Sequence, residues 1–178
     1  MSNPIAVTNN MFTPVSTEHG ANNSFEVNVS GPYYVGDPCY CFSHDTTTWS
    51  EFCDSMDKSC QGIFTNKNRS KSIIGLSTMY GDGCYGGVVK SVLHEFPVDA
   101  GMLGIVPMAD VEVGSSFTQN NKLGCIIFLD EGSVVSRSKD GEFTITCSNG
   151  DVLESIFTGD DEEQDDDHYG DHDEDDCY

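Results

Sequence analysis

Three aspartates in glycine-containing turns are the residues of this sequence best suited to chemistry. The turns read Gly36-Asp37-Pro38, Gly81-Asp82-Gly83 and Val98-Asp99-Ala100-Gly101. Because each turn follows an apolar run, closure of a sheet can bring two or three of the carboxylates together. Clustered carboxylates bind Ca²⁺ or Mg²⁺, or share a proton as an acid–base pair, so Asp37, Asp82 and Asp99 are the candidate ligands for a divalent cation. The alternative is that each side chain accepts a hydrogen bond from the backbone two residues further on, as turn aspartates do.

Soft metal ligands are densest between residues 39 and 60. This stretch contains Cys39, Cys41, His44, Cys53 and Cys60. Two of the cysteines share a predicted strand face and two share a predicted helix face, so a zinc site is geometrically feasible. The spacing C-x-C-x11-C-x6-C lacks the two close cysteine pairs of common structural zinc sites, however. The alternative is that they are reduced thiols, which pack well in a protein core.

Negative charge dominates the composition. The chain of 178 residues carries 30 Asp and Glu against 8 Lys and Arg, a formal net charge of −22. Residues 160–178 alone hold 12 of the acids and no Lys or Arg, which leaves 18 acids against 8 bases, or −10, for the rest. Such a surface repels phosphate backbones and anionic membranes. The composition therefore predicts a basic protein partner and argues against direct binding of nucleic acid or membranes.

The candidate partner-binding residues are of two kinds. The first acids of the acidic segment would attract a basic partner at long range; they are Asp160, Asp161, Glu162 and Glu163. Tyrosine is enriched at protein interfaces, and the tyrosines near the first two Gly-Asp turns would give the contact its specificity. These are Tyr33, Tyr34, Tyr40, Tyr80 and Tyr85.

The candidate residues lie in or between short apolar runs. These runs alternate with period two and are separated by Gly-rich turns, which indicates strands. The predicted strands cover residues 24–29, 32–35, 39–42, 72–80, 85–93 and 104–106, and then a meander of 123–129, 133–138, 142–147 and 152–157. Both Gly-Asp turns are expected to lie in hairpins. The sequence therefore predicts a mainly β (α+β) fold, an antiparallel barrel or sandwich with one short helix.

The one predicted helix begins at Thr48. Thr48 and Glu51 fit a capping box, and an apolar stripe of about three turns follows, formed by Trp49, Phe52, Cys53 and Met56. We expect this stripe to face the sheet and the helix to end near residues 58–62.

The composition also divides the chain. Residues 1–23, rich in Asn, Ser and Thr, are predicted to be an extended N-terminal arm, and residues 24–158 to be the β-rich globular domain. Residues 159–178 lack aliphatic side chains and are predicted to be a disordered acidic tail. The N-terminus shows neither the basic nor the apolar region of a signal peptide. No apolar stretch reaches the ~18 residues of a spanning helix, so a cytoplasmic location is expected, in the host cytoplasm if a phage encodes the protein.

Several of these motifs occur together in a known setting. Gly36-Asp37-Pro38-Cys39-Tyr40, Tyr80-Gly81-Asp82-Gly83, Val98-Asp99-Ala100-Gly101 and Gly104-Ile105-Val106-Pro107 resemble stretches of small uncharacterised proteins from bacteriophage and bacterial genomes. The third stretch is similar to one in a bacterial domain of unknown function. The resemblance covers roughly residues 31–110. It implies a phage or bacterial context and brings no catalytic residues with it.

The function that these observations favour is binding rather than turnover. Phosphate-binding loops, serine nucleophile elbows, zinc-protease motifs and dinucleotide-binding motifs are absent from the sequence, and no catalytic residue is predicted. We expect a non-enzymatic, acidic, phage-type protein that inhibits a basic host protein by nucleic-acid mimicry, in host takeover or anti-defence. One alternative is a small metal-dependent enzyme or ligand-binding barrel that uses the Asp turns. Another is an accessory protein of the virion or its assembly.

Overall fold

A computed structural model describes residues 11–17, 23–56 and 61–157 of the chain. Within these ranges, antiparallel strands make up most of the regular structure. In chain order they are β1 (Phe12–Thr17), β2 (Asn23–Val27), β3 (Gly31–Gly36), β4 (Gly62–Asn66), β5 (Lys71–Ser77), β6 (Gly83–Val89), β7 (Val92–Val98), β8 (Met102–Pro107), β9 (Gly124–Leu129), β10 (Val134–Arg137), β11 (Glu142–Thr146) and β12 (Val152–Phe157). The helices are α1 (Thr48–Cys53) and α2 (Ser116–Gln119), with 3₁₀ turns at Pro38–Cys41 and Met108–Asp110.

The strands form two sheets that pack as a sandwich. The larger sheet has the order β1-β2-β10-β11-β12-β6-β7, and the smaller has the order β4-β5-β8-β3-β9. The prediction of a mainly β antiparallel fold is confirmed, and of its two forms the structure adopts the sandwich rather than the closed barrel. None of the helices in the described ranges combines the length and apolar character needed to cross a membrane.

Two apolar clusters stabilise the sandwich. The main cluster lies between the sheets and takes alternate residues from both, such as Val35, Ile105 and Val135. A second cluster covers the outer face of the smaller sheet, where Phe52 of α1 packs near Tyr34. The central strand β8 is therefore buried on both faces and carries apolar residues at every position except Gly104. This reads as a continuous apolar run, as expected for a strand covered on both sides.

Helix α1 differs from its prediction in length and in its cap. It covers only residues 48–53 and begins after Thr47, whose hydroxyl donates to Glu51 Oε1 at 2.7 Å. Thr48 is not the cap, because its own hydroxyl is used in a tertiary contact described below. The predicted apolar stripe is confirmed in part: Phe52 is fully buried, and Trp49 and Met56 are half-buried against the same outer cluster. Met56 lies beyond the end of the helix, however, and Cys53 is exposed.

The segment 39–42, predicted to be a strand, is instead the 3₁₀ turn Pro38–Cys41 followed by Phe42. Pro38 has no N–H to donate to a neighbouring strand, which disfavours pairing in a sheet. The carboxylate of Asp37 also accepts a hydrogen bond from Cys39 N at 2.9 Å and thereby caps the turn.

The prediction that both Gly-Asp turns lie in hairpins is wrong. After β3 the chain enters the 3₁₀ turn, and residues 78–82 carry it from β5 in the smaller sheet to β6 in the larger one. The hairpin lies one strand later, between β6 and β7, where Lys90 and Ser91 have φ values of 47° and 67°. This turn has the positive φ values of a type I′ hairpin without its usual Asn-Gly signal, so the sequence pattern did not reveal it.

The ends of the chain only partly correspond to the predicted divisions. Within the predicted N-terminal arm, residues 12–17 form β1, which pairs with β2, and Phe12 is buried in the main cluster. The C-terminal meander is confirmed for β10, β11 and β12, whereas β9 belongs to the other sheet. The predicted acidic tail, with Asp160, Asp161, Glu162 and Glu163, lies outside the described residues.

Candidate functional site

Asp37 connects two parts of the chain through a buried carboxylate. Its side chain is fully buried. Oδ1 accepts a hydrogen bond from Cys39 N, and Oδ2 accepts from Asp99 N at 2.8 Å and from Ala100 N at 2.7 Å. Burial raises the pKa of Asp37, while these backbone donors oppose the rise. For Asp37, therefore, the alternative of a turn aspartate bonded two residues further on is confirmed.

The three Asp turns meet at one end of the sandwich. Besides the bonds from Asp37 to the 99–100 turn, Thr78 N donates to Gly101 O at 2.9 Å, and the Thr78 hydroxyl donates to Gly81 O at 2.5 Å. The Cα of Gly81 also lies in contact distance of the place where a Cβ on Gly101 would be. The crossover from β5 to β6 and the crossover from β7 to β8 are thus fastened to each other, and the side chains of Asp82 and Asp99 remain exposed.

Metal binding by these residues stays a prediction. In the parts of the chain that the structure describes, no three His, Cys, Asp or Glu side chains are placed so that they could hold a metal ion. Both oxygens of Asp37 already accept backbone hydrogen bonds. Of the proposed zinc ligands, Cys41 is fully buried, Cys53 is exposed and Cys60 lies outside the described residues.

Burial changes the interpretation of the five tyrosines. Tyr33, Tyr34, Tyr40 and Tyr85 are at most 8% exposed, whereas Tyr80 is 57% exposed. The buried rings fill the apolar clusters, and their hydroxyls bond to nearby groups; Tyr34, for example, lies 2.7 Å from Leu123 O. Four of the five therefore cannot form an open contact surface, and only Tyr80 of the predicted Tyr-rich surface is exposed. Tyr40, although buried, lines a cavity described below. The sequence could not separate these cases because all five occupy similar Tyr-Gly or Tyr-apolar contexts.

A cavity of about 350 Å³ opens beside this junction. Its walls come from the 3₁₀ turn after β3, the start of α1, the 99–100 turn and the start of α2. The lining combines three aromatic rings with polar and acidic side chains; it consists of Tyr40, Phe42, Trp49, Cys39, Ser43, His44, Thr46, Ser50, Asp99, Ala100 and Ser116. The lining contains neither Lys nor Arg.

The aromatic and acidic groups of the cavity are held in place by mutual contacts. The rings of Phe42 and Trp49 are stacked, with centroids 6.1 Å apart and an angle of 16° between their planes. The pKa of Tyr40 is raised by burial and by the hydrogen bond of its hydroxyl to the carboxylate of Asp99. On the other side, Lys71 Nζ lies 5.8 Å from the centroid of the Phe42 ring, so this aromatic group already contacts one cation.

Glu112 holds residues of the cavity wall in place through hydrogen bonds to its carboxylate. Its carboxylate accepts hydrogen bonds from the Thr46 hydroxyl at 2.7 Å and from the Thr48 hydroxyl at 2.6 Å. It also accepts from Ser43 N at 3.0 Å and from Lys71 Nζ at 3.2 Å. Burial opposes ionisation, but these donors outweigh it and lower the pKa of Glu112 to about 2. Sequence reasoning missed this residue, and no local motif around it signals the role.

Two further features of the cavity bear on its chemistry. Burial raises the pKa of the Cys39 thiol, and the negative charge of the nearby Asp37 raises it further. The thiol is therefore held in its protonated, weakly nucleophilic form. Ser116 Oγ lies 3.5 Å from His44 Nε2, longer than the usual bond between a serine nucleophile and its base. The stacked rings and the carboxylate of Asp99 therefore suit the cavity for recognition of a cationic, partly apolar group.

A second concave surface lies where the two sheets leave an open seam. A groove of about 700 Å³ runs between the edge strands β7 and β9. Leu93 is 76% exposed at this groove, and Ile126 is 53% exposed. The sequence predicted both residues to lie in strands but gave no indication that they would face solvent.

Comparison of the chain with protein-family models, curated proteins and solved structures finds no match. The class that the fold and the site define is a β-sandwich with an aromatic, acidic cavity at one end. The resemblance to phage and bacterial proteins stays a prediction.

Proposed function

We propose that this protein binds a basic protein surface, and that the cavity beside Asp99 accepts a Lys or Arg side chain of the partner. The observation that carries the proposal is the composition of the cavity, which combines three aromatic rings with a carboxylate and contains no basic side chain. Aromatic faces attract Lys and Arg cations, and a nearby carboxylate adds a charge-assisted hydrogen bond. The chemistry of the cavity thus matches the charge of the whole chain.

The charges outside the cavity also favour a basic protein as the partner. The chain carries −22, and −10 of this lies outside residues 160–178. The basic groups nearest to the cavity are already engaged, because Arg69 and Lys71 both form ion pairs with Glu112. An approaching basic protein therefore meets a negative electrostatic potential, which raises its rate of association. The cavity then slows its dissociation by burying one side chain.

The basic surfaces that fit this description are those that bind nucleic acid. We propose that the protein occupies such a surface in place of nucleic acid and so inhibits the enzyme that carries it. The resemblance to phage and bacterial proteins is the reason to seek the partner in bacterial lysates. In this proposal the acidic charges attract the partner, and the cavity makes the contact specific. The sequence alone predicted this role for the tyrosines near the Gly-Asp turns.

The proposal is tested by capture from a bacterial lysate with the full chain, at about 50 and 500 mM salt, since the Debye length falls to a few Å over this range. We expect a basic protein that is retained at low salt and released at high salt. With the purified partner, Asp99→Asn should weaken affinity about tenfold, in line with the loss of one charge-assisted contact. This variant keeps an oxygen that can accept the bond from Tyr40.

Glu131→Gln is the matched control. It removes the same charge from the exposed turn between β9 and β10, at the opposite end of β3 and β9 from Asp37. If Asp99→Asn and Glu131→Gln weaken binding equally, the cavity does not contact the partner. If capture does not depend on salt, the electrostatic part of the proposal fails as well.

A further inference from the structure

Strand β9 is an open edge of the smaller sheet. Among the described residues it pairs with β3 on one side and with no strand on the other. Its sequence, Gly-Cys-Ile-Ile-Phe-Leu, contains neither a charged residue nor a proline, which are common means of protecting an edge. Ile126 and Phe128 alternate on its outer face and are 53% and 57% exposed. An edge of this kind is suited to pairing with a further strand.

The other three sheet edges in the described part of the chain are better protected. Strand β1 contains Pro14, next to an irregularity in its register. Strand β7 contains Glu95 and Pro97. Strand β4 lies beside α1, where the Asn66 amide donates a hydrogen bond to Glu51. Charges, prolines, irregularities and covering elements all hinder pairing with another chain, so β9 is the edge best suited to it.

Two prolines show which backbone groups of β9 face the open edge. Pro32 of β3 is opposite Phe128, and Pro107 of β8 is opposite Tyr33 on the other side of β3. Because proline has no N–H, both positions suit the non-hydrogen-bonded pairs of an antiparallel ladder, and both give the same alternation along β3. In a non-hydrogen-bonded pair, the N–H and C=O groups point away from the partner strand. The groups that point to the open edge therefore belong to Gly124, Ile126 and Phe128.

A second copy of β9 can pair with these groups. Residues opposite each other in an antiparallel pair lie on the same face of the sheet, so a two-fold axis must pass through a residue and not between two residues. With the axis at Ile126, this residue is opposite its own copy, and Phe128 is opposite Gly124 of the second copy. Gly124 has no side chain that could collide with the phenyl ring. Each of these pairs joins two residues whose backbone groups point to the edge.

The charges at the ends of β9 select this register. Lys122 precedes the strand by two residues, Asp130 follows it directly, and both are exposed. With the axis at Ile126, Lys122 of each copy is opposite Asp130 of the other, and opposite charges across a strand pair stabilise it. With the axis at Ile127, Asp130 would be opposite Gly124 and Lys122 would have no acid opposite it. The strand is thus complementary to itself in shape and in charge.

The groove between β7 and β9 leaves room for the second strand. It has a volume of about 700 Å³ and lies in front of the open edge, with Lys122, Gly124 and Ile126 in its wall. A paired strand lies only ~4.8 Å from its neighbour. A second copy of β9 can therefore enter the groove.

We propose that the protein forms a two-fold symmetric dimer in which β9 pairs with β9 of a second copy, with Ile126 at the axis. The pairing joins the two smaller sheets into one continuous sheet. Each copy carries a formal net charge of −22, so repulsion opposes the dimer, and salt that screens the repulsion favours it. This salt dependence is opposite to that expected for a basic partner. The inference goes beyond the proposed function and does not depend on it.

The test is sedimentation velocity of the full chain at about 10 and 200 µM, because dimerisation depends on protein concentration, and at about 50 and 500 mM salt. A reductant prevents cross-links through exposed thiols such as Cys53 and Cys84. We expect the dimer fraction to rise with protein concentration and with salt. Ile126→Lys places two ammonium groups opposite each other at the axis and should weaken association more than about tenfold.

Val152→Lys is the matched control. It makes the same change of charge at a position that is 63% exposed on β12 of the larger sheet, and it should dimerise like the parent. A parent chain that stays monomeric at the higher concentration and salt would overturn the proposal, and so would equal association of the two lysine variants. If the parent is monomeric and Ile126→Lys instead loses a basic partner captured from lysate, the edge receives a strand of that partner, which also overturns the proposal.

Reversal of the end charges tests the register without changing the strand itself. Lys122→Asp and Asp130→Lys should each weaken association about tenfold, because each places like charges opposite each other twice in the dimer. The two substitutions combined in one chain should restore the affinity of the parent. Circular dichroism checks that each variant is folded, and both positions are exposed. A combined variant that associates no better than the single variants would show that Lys122 and Asp130 do not face each other and would overturn the proposed pairing.

Discussion

Glu112 offers the sharpest test of how this structure is held together, through the substitution Glu112→Gln. The side chain of Glu112 is 10% exposed and accepts bonds from two threonine hydroxyls, a backbone N–H and two basic side chains. Its pKa of about 2 lies below the ordinary value of 4.5. At 1.36 kcal/mol per pKa unit, this difference corresponds to at most about 3 kcal/mol at neutral pH. Access of solvent to the basic partners reduces the expected loss to about 2 kcal/mol.

The pH dependence of this loss follows from the direction of the shift. The folded-state pKa of Glu112 is lowered, so its contribution is complete above the unfolded-state value near 4.5 and disappears as the pH falls through about 2. Urea unfolding at pH 7 should show the loss of about 2 kcal/mol, or a melting temperature lower by roughly 4–8 °C. Near pH 2 the two proteins should have nearly the same free energy of unfolding. Glu131→Gln, the exposed control, should change stability by less than about 0.5 kcal/mol at pH 7. A Glu112→Gln protein as stable as its parent at pH 7, or a loss that does not vary with pH, would refute this account.

Three further variants, with one control, test other parts of the fold by urea unfolding. Asp37→Asn should cost about 2 kcal/mol, because an amide cannot accept on both sides and one buried backbone donor loses its charged partner; equal stability would show that the 99–100 turn does not need this bond. Lys90→Asn combined with Ser91→Gly should add about 1 kcal/mol by relieving two positive φ values, and a loss would mean that the native side chains make stabilising contacts. Tyr34→Phe should cost about 1 kcal/mol through the hydrogen bonds of its buried hydroxyl, whereas Tyr80→Phe, at an exposed position, should cost nothing measurable.

The sequence predicted the strands well where a local period decided the outcome. Alternation placed β2 and the meander of β10 to β12 within a few residues, because one buried face imposes that pattern on each strand. The strand β3 is buried on both faces, and its apolar run before the Gly-Asp turn placed it instead. It failed where the chain changes sheets. Asp82 lies in a Gly-Asp-Gly turn that reads as a hairpin, yet β5 and β6 belong to different sheets. A turn motif specifies a bend in the backbone, and it does not specify which strand the chain joins afterwards.

The candidate site was harder to predict because contacts between distant residues define it. Asp37 bonds to residues 62 and 63 positions away, and Glu112 bonds to Thr48 over 64 positions. The cavity is assembled from four separate segments, and its aromatic wall depends on α1 lying over the smaller sheet. Residue types alone identified Asp99 and Tyr40 as candidates, but only the packing showed that their hydrogen bond lies at a cavity rather than in a metal site or on an open surface.

The three aspartates show why a local motif cannot assign a role here. All three lie in glycine-containing turns at the same end of the sandwich, and the sequence treated them alike. Burial separates them: Asp37 is fully enclosed and satisfies backbone donors of two turns, whereas Asp82 and Asp99 are exposed. Only Asp99 lines the cavity, and its own backbone N–H is held by Asp37. The structural carboxylate therefore positions the one that we propose to meet the partner, and loss of Asp37 should weaken binding through Asp99 even though Asp37 itself is out of reach of any partner.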